Sequence, residues 1–107
     1  MKDFAATFVV SSHSSERLRA ARQLVTERGY LDRVEVDVAT AGERKKVEHY
    51  RVGDYFSSIH IVDCGPTSFR IVFVPQPAAK GYWKDLAVRI LISVKESGVT
   101  VRSDRKR

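Results

Sequence analysis

The chain is poor in residues that staple, bend or punctuate a fold. Of 107 residues, one is cysteine, three are proline and six are glycine. A lone thiol, Cys64, excludes an internal disulfide and fits a reducing compartment, so the expected location is intracellular, cytoplasmic or nuclear. No stretch approaches the ~18 consecutive apolar residues that a membrane span requires. The first residues, Met1-Lys2-Asp3-Phe4, carry an early acid and read as the approach to a strand, not as a signal peptide. No C-x-x-C or H-x-x-x-H spacing accompanies His13, His49, His60 and Cys64, so neither metal nor cofactor is expected. No RNP-like run, GXXG loop or zinc-finger spacing marks a known nucleic-acid module.

The chain does carry an ordinary globular composition with a surplus of positive charge. It is 43% hydrophobic and 30% charged, too apolar for a disordered polymer. Its length allows one core, so we expect a single domain over residues 1–101 and a basic tail over 102–107. Nineteen Lys and Arg against thirteen Asp and Glu give a net charge of +6. Such a surplus on a small domain favours polyanionic partners.

Hydrophobic periodicity divides the chain into short elements. Phe4, Phe8 and Val10 alternate as in a strand. Leu18, Ala21, Leu24 and Val25 form one helical stripe within residues 14–28. Val34, Val36 and Val38 alternate with Glu35 and Asp37, followed by a turn at 41–44 and a return strand over 46–52. Two further strands, 55–62 and 68–74, are joined by Asp63-Cys64-Gly65-Pro66-Thr67, a turn signal. After Pro75-Gln76-Pro77 a second helix spans roughly 79–97, closed by Gly98, and a short extended piece, 99–101, follows. The order β-α-β-β-β-β-α, with short links, predicts an α+β two-layer sandwich: a mainly antiparallel sheet with helices packed on one face.

Chemistry-bearing residues are sparse. Ser11-Ser12-His13-Ser14-Ser15 places hydroxyls and an imidazole where a strand meets a helix, but no glycine elbow frames a nucleophile. Ser14 or Ser15 is expected to cap the helix, with Glu16 complementing its dipole. Basic residues cluster in three places: Arg17, Arg19 and Arg22 on the first helix, Arg44-Lys45-Lys46 at a hairpin turn, and Arg102 and Arg105 in the tail. They make one phosphate-binding patch only if the fold brings them to one side. The strand aromatics Tyr50, Tyr55, Phe56 and Phe69 fit a core better than a base-stacking surface. The last helix carries two apolar stripes, Trp83, Leu86, Ala87, Ile90 and Val94 on one side, and Val88, Leu91 and Ile92 on another. A helix on a two-layer sandwich needs only one. The second stripe is covered either by the first helix or by a partner chain.

These observations predict a small non-enzymatic binding module whose basic face contacts RNA or DNA phosphates. The alternatives are an interaction subunit or homodimer assembling through Val88, Leu91 and Ile92, and a small basic ribonuclease drawing on His49 and Arg51.

Overall fold

In a computed structural model, described over residues 6–38, 44–52, 57–74 and 80–103, the chain forms a two-layer α+β sandwich. The elements are β1 (Ala6–Ser11), α1 (Ser15–Thr26), β2 (Tyr30–Val38), β3 (Arg44–Val52), β4 (Ser57–Asp63), β5 (Ser68–Val74), α2 (Lys80–Glu96) and β6 (Thr100–Ser103). The strands make one sheet in the order β2-β3-β4-β5-β1-β6, antiparallel at every pairing. The expected final extended piece is thus a sixth strand, and it runs through Arg102 and Ser103, two residues into the segment read as tail. Arg44, read as part of a turn, begins β3. The turn at 41–43, Tyr55, Phe56, the Pro75–Pro77 segment and Arg105 lie outside the described residues, as do the side chains of Arg44, Lys45 and Trp83.

One apolar cluster holds the layers together. Phe69, Ile71 and Phe73 of β5 meet Ile59 and Ile61 of β4 and Val10 of β1 on the sheet side, all buried. Ala21 and Val25 of α1 and Ala87, Ile90 and Val94 of α2 close the cluster from above. Both helices therefore sit on one face, and among the described residues none covers the other. The strands obey period two: along β5 every second residue is buried, and Ser68, Arg70, Val72 and Val74 fall between. Phe8 adds an edge-on contact to Phe73, with ring centroids 5.9 Å apart. No helix among the described residues is long and apolar enough to cross a membrane.

The serine-rich turn is a helix start. Ser14 has an extended backbone (φ −95°, ψ 114°), and its Oγ accepts the Arg17 N–H at 3.2 Å. The Ser14 N–H in turn donates to Ser12 Oγ at 3.0 Å, which steadies the cap. His13 is exposed and bonds none of the serines. Beside this helix start α2 stops at Gly98, whose φ of +91° suits glycine, and the Arg17 guanidinium passes 3.3 Å from where a Cβ would stand.

Ser14→Ala removes the acceptor of an otherwise orphan N–H and should cost about 1 kcal/mol of stability. Ser15→Ala should be neutral or slightly stabilising, because Ser15 is exposed in the first turn and alanine is the better helix former. Thermal or urea melts of the two variants beside the parent check the assignment; equal loss in both would refute it.

Candidate functional site

Register sorts the strand residues into two faces of unlike chemistry. On the helix side, at the boundary between covered and uncovered sheet, lies a polar cluster. Arg22 reaches out of α1 and donates from Nη1 to Asp63 Oδ1 at 2.6 Å and from Nη2 to Glu48 Oε1 at 2.9 Å. The Tyr50 hydroxyl donates to the same Glu48 oxygen at 3.0 Å, and Lys46 Nζ stands 3.6 Å from its Oε2. The Arg22 guanidinium also lies 5.7 Å from the centroid of the Phe69 ring, over the edge of the core. The sequence does not reveal that Glu48 and Asp63 meet. They come together because β3 and β4 are neighbours and because Ile61, opposite Glu48, faces the core.

The charges of this cluster support one another. Burial pushes the Glu48 carboxyl up, but the hydrogen bonds from Arg22 and Tyr50 and the charges of Arg22 and Lys46 outweigh it and hold it below the ordinary range. Burial lowers Arg22, and its bonds to Asp63 and Glu48 more than reverse that. Tyr50 is raised, first by burial and then by the bond to Glu48. Arg22, expected at a phosphate-binding patch, is occupied by two carboxylates and ties α1 to the sheet.

The opposite face carries different groups. Across it, one row runs Arg102, Val9, Arg70, Val62, Val47, from β6 to β3. The next holds Val72, His60 and His49, and the one after it Val74, Ser58 and Arg51. Arg102, Arg70, His60, His49 and Arg51 thus trace a diagonal band of roughly 20 Å at ordinary strand spacing. His49 and His60 touch edge to face, with ring centroids 4.1 Å apart. Arg70 reaches Cys64 Sγ at 3.5 Å, beside the β4–β5 turn. Among the described side chains of β3, β4, β5, β1 and β6, this face carries no carboxylate, because Glu48 and Asp63 both stand on the helix side. The same described side chains include no Phe, Tyr or Trp on this face: Phe69 is core and Tyr50 faces the helices.

The fold does not gather the three expected basic clusters. Arg17 and Arg19 are exposed on α1, in the helix layer. Arg44, Lys45 and Lys46 begin β3, next to one edge of the sheet, and Arg102 lies on β6 at the other edge. Of the expected residues whose side chains are described, only Arg102 joins the diagonal band. Arg51, His49, His60 and Arg70 complete it, and sequence reasoning gave none of them a place in the phosphate-binding patch. Strand parity carried the signal: Arg70 falls between Phe69 and Ile71, and His60 between Ile59 and Ile61. His49 and Arg51 do share a face, and Tyr50 lies on the other, as alternation implies. No group of three or more possible metal ligands occurs among the described residues.

The second stripe of α2 is not covered by α1. Val88 is 54% and Ile92 51% exposed, while Leu91 between them leans on the core. Together with Phe8 and Val101 they line a shallow groove of about 220 Å³. Comparison with known protein families, curated proteins and solved structures finds no match to this chain.

The Arg22 cluster makes a pH-dependent prediction. Arg22→Met leaves Glu48, 15% exposed, beside Asp63 with no cation between them, and should cost about 1–3 kcal/mol at neutral pH. Because the folded Glu48 lies below its ordinary value of 4.5, the stability it contributes is present above that pH and lost as pH falls through the folded value. In the variant the Arg22 share of that contribution is absent, and only Tyr50 and Lys46 still favour the carboxylate. The gap in melting temperature between parent and Arg22→Met should therefore narrow on acidification, and a gap that stays constant would count against the clamp.

Proposed function

We propose that this protein is a small non-enzymatic module that binds nucleic-acid phosphates across the open face of its sheet. The observation that carries this reading is the diagonal band of Arg51, His49, His60, Arg70 and Arg102 on a face where the described side chains of β3, β4, β5, β1 and β6 include no carboxylate. A net charge of +6 adds long-range attraction for a polyanion. Guanidinium groups spread along the band, Arg102 and Arg70 in one row and Arg51 two rows on, suit successive phosphates of one strand, and the valines between them offer an apolar floor. The described side chains of β3, β4, β5, β1 and β6 on that face include no large aromatic ring, so the band itself offers bases no stacking platform. Binding is then electrostatic and tolerant of sequence, and RNA and DNA are both ligands.

Fluorescence anisotropy with labelled single-stranded RNA and DNA tests this. Affinity should fall steeply with salt, and Arg51→Ala or Arg70→Ala should weaken binding to all sequences alike and flatten the log–log salt slope by about one unit each. Arg17→Ala and Arg19→Ala, on the helix layer, should leave binding unchanged. No binding at low salt ends the proposal.

A second reading is favoured by the groove beside α2, namely that the chain is an interaction subunit docking through Val88, Leu91 and Ile92. Leu91 packs on the core, so its replacement confounds docking with folding. Val88→Asp combined with Ile92→Asp avoids this, and exposed substitutions of that kind should shift stability by no more than about 0.5 kcal/mol each. A sedimenting mass above the monomer that collapses in this folded double variant supports the reading, and an unchanged mass removes it.

A further inference from the structure

The widest uncovered apolar strip lies elsewhere. β2 is an edge strand of nine residues, and none of its described side chains belongs to the buried core. Leu31, Val34 and Val36 are 50%, 47% and 58% exposed. They belong to the helix side of the sheet, since Leu31 is opposite Tyr50 and Val34 is opposite Glu48. The register shifts between Leu31 and Arg33, so Asp32 is the extra residue of a bulge, and the shift puts Leu31 on the same side as Val34. Edge strands exposed to solvent are ordinarily blunted by proline, by lysine or by brevity. β2 contains no proline and no lysine, and it is the joint longest strand of the sheet.

The order of charges along β2 selects an occupant. We propose that β2 pairs antiparallel with β2 of a second copy of this chain, about a two-fold axis at Val34, so that the two sheets become one. Antiparallel pairing about a two-fold axis sets residues opposite each other whose numbers have a fixed sum, and residues directly opposite share a face. With Val34 opposite the partner's Val34, Arg33 stands opposite the partner's Glu35, and Glu35 opposite the partner's Arg33. One step further, with Asp32 absorbed in the bulge, Leu31 stands opposite the partner's Val36. The three exposed apolar positions then meet one another, Arg33 and Glu35 each meet the opposite charge, and the ladder ends with Tyr30 opposite the partner's Asp37. The neighbouring registers fail this test. An axis at Arg33 sets arginine against arginine, and an axis at Glu35, although it sets Arg33 against the partner's Asp37, puts glutamate against glutamate on the axis itself. An axis at Val36 sets Glu35 against the partner's Asp37 twice. Like charges directly opposite each other destabilise a ladder, so one register is favoured among the four. The apolar strip is on the helix side of β2 and away from the α2 groove, while Arg33 and Glu35 stand by register beside His49 and Val47 at the margin of the open face. The inference rests on β2 alone and depends on neither reading above.

Sedimentation equilibrium over a range of protein concentrations, at moderate salt, tests it. The expected result is a monomer–dimer equilibrium. Arg33→Glu and Glu35→Arg should each weaken association roughly tenfold or more, since each places two like-charge pairs in the ladder. The double variant Arg33→Glu/Glu35→Arg should recover the parental constant, because it restores both pairs with their signs exchanged. Val34→Lys should abolish the dimer, and circular dichroism of each variant should match the parent. A protein that is monomeric at every concentration overturns the proposal. So does a dimer that survives both single reversals, or one that is lost in Val88→Asp/Ile92→Asp but not in Val34→Lys, which would place the interface on α2.

Discussion

The architecture depends on the alternation of β5 at the middle of the sheet. Phe69, Ile71 and Phe73 point into the core, and the strand is paired on both sides, with β4 and with β1. A slip of one residue in either ladder would turn three large apolar groups to solvent and bring Arg70 under the helices. At about 25 cal/mol per Å² of apolar surface, such a slip forfeits several kcal/mol, comparable to the whole stability of a domain this size. The pairing is therefore held firmly where the core is, and it transmits that order outward. Because β5 is fixed, His60 has to lie opposite Val72 and His49 opposite His60.

Charge is sorted between the two faces by the same constraint together with one arginine. Glu48 and Asp63 occupy core-facing positions of β3 and β4, where a bare carboxylate beside an apolar layer is costly. Arg22 makes those positions tolerable by supplying a donor to each, and Tyr50 adds another to Glu48. Three charges so placed leave a net of one, close to balance, at the margin of the core. The other face is then left with Arg51, Arg70 and Arg102 and no acid on five of its six strands among the described side chains. The polarity of the molecule arises from this distribution more than from the total of +6.

Local features were legible in the sequence, and neighbour relations were not. Alternation at Val34, Val36 and Val38, the stripe Leu18, Ala21 and Val25, and the turn at Gly65 and Pro66 each depend on residues close along the chain. They reported the elements, their order and the sandwich. Ser14 could be narrowed to one of two serines but no further, since either can precede a helical turn. What is placed by strand adjacency escaped. Nothing local tells that Arg22 lies across from Asp63, 41 residues away, or that His49 and His60 share a row. The clusters at 17–22, 44–46 and 102–105 looked alike as sequence, yet α1, β3 and β6 carry them to different parts of the molecule.

The uncovered apolar surfaces follow from a mismatch of widths. Six strands spaced about 4.8 Å apart set the outer strand axes roughly 24 Å from each other, and two packed helices, each about 10 Å across, shield about 20 Å. One helical pair cannot roof the whole sheet. The core shows where the roof sits, over β4, β5 and β1, with α2 leaning toward β6. The shortfall therefore falls on β2, whose Leu31, Val34 and Val36 keep the apolar pattern of a covered strand without the cover. A strand exposed for life as a monomer has no use for that pattern, since polar residues at those positions would serve solubility as well and resist edge pairing better. Retention of three apolar residues on one side, separated by charges of alternating sign, is what a strand designed to meet its own copy requires.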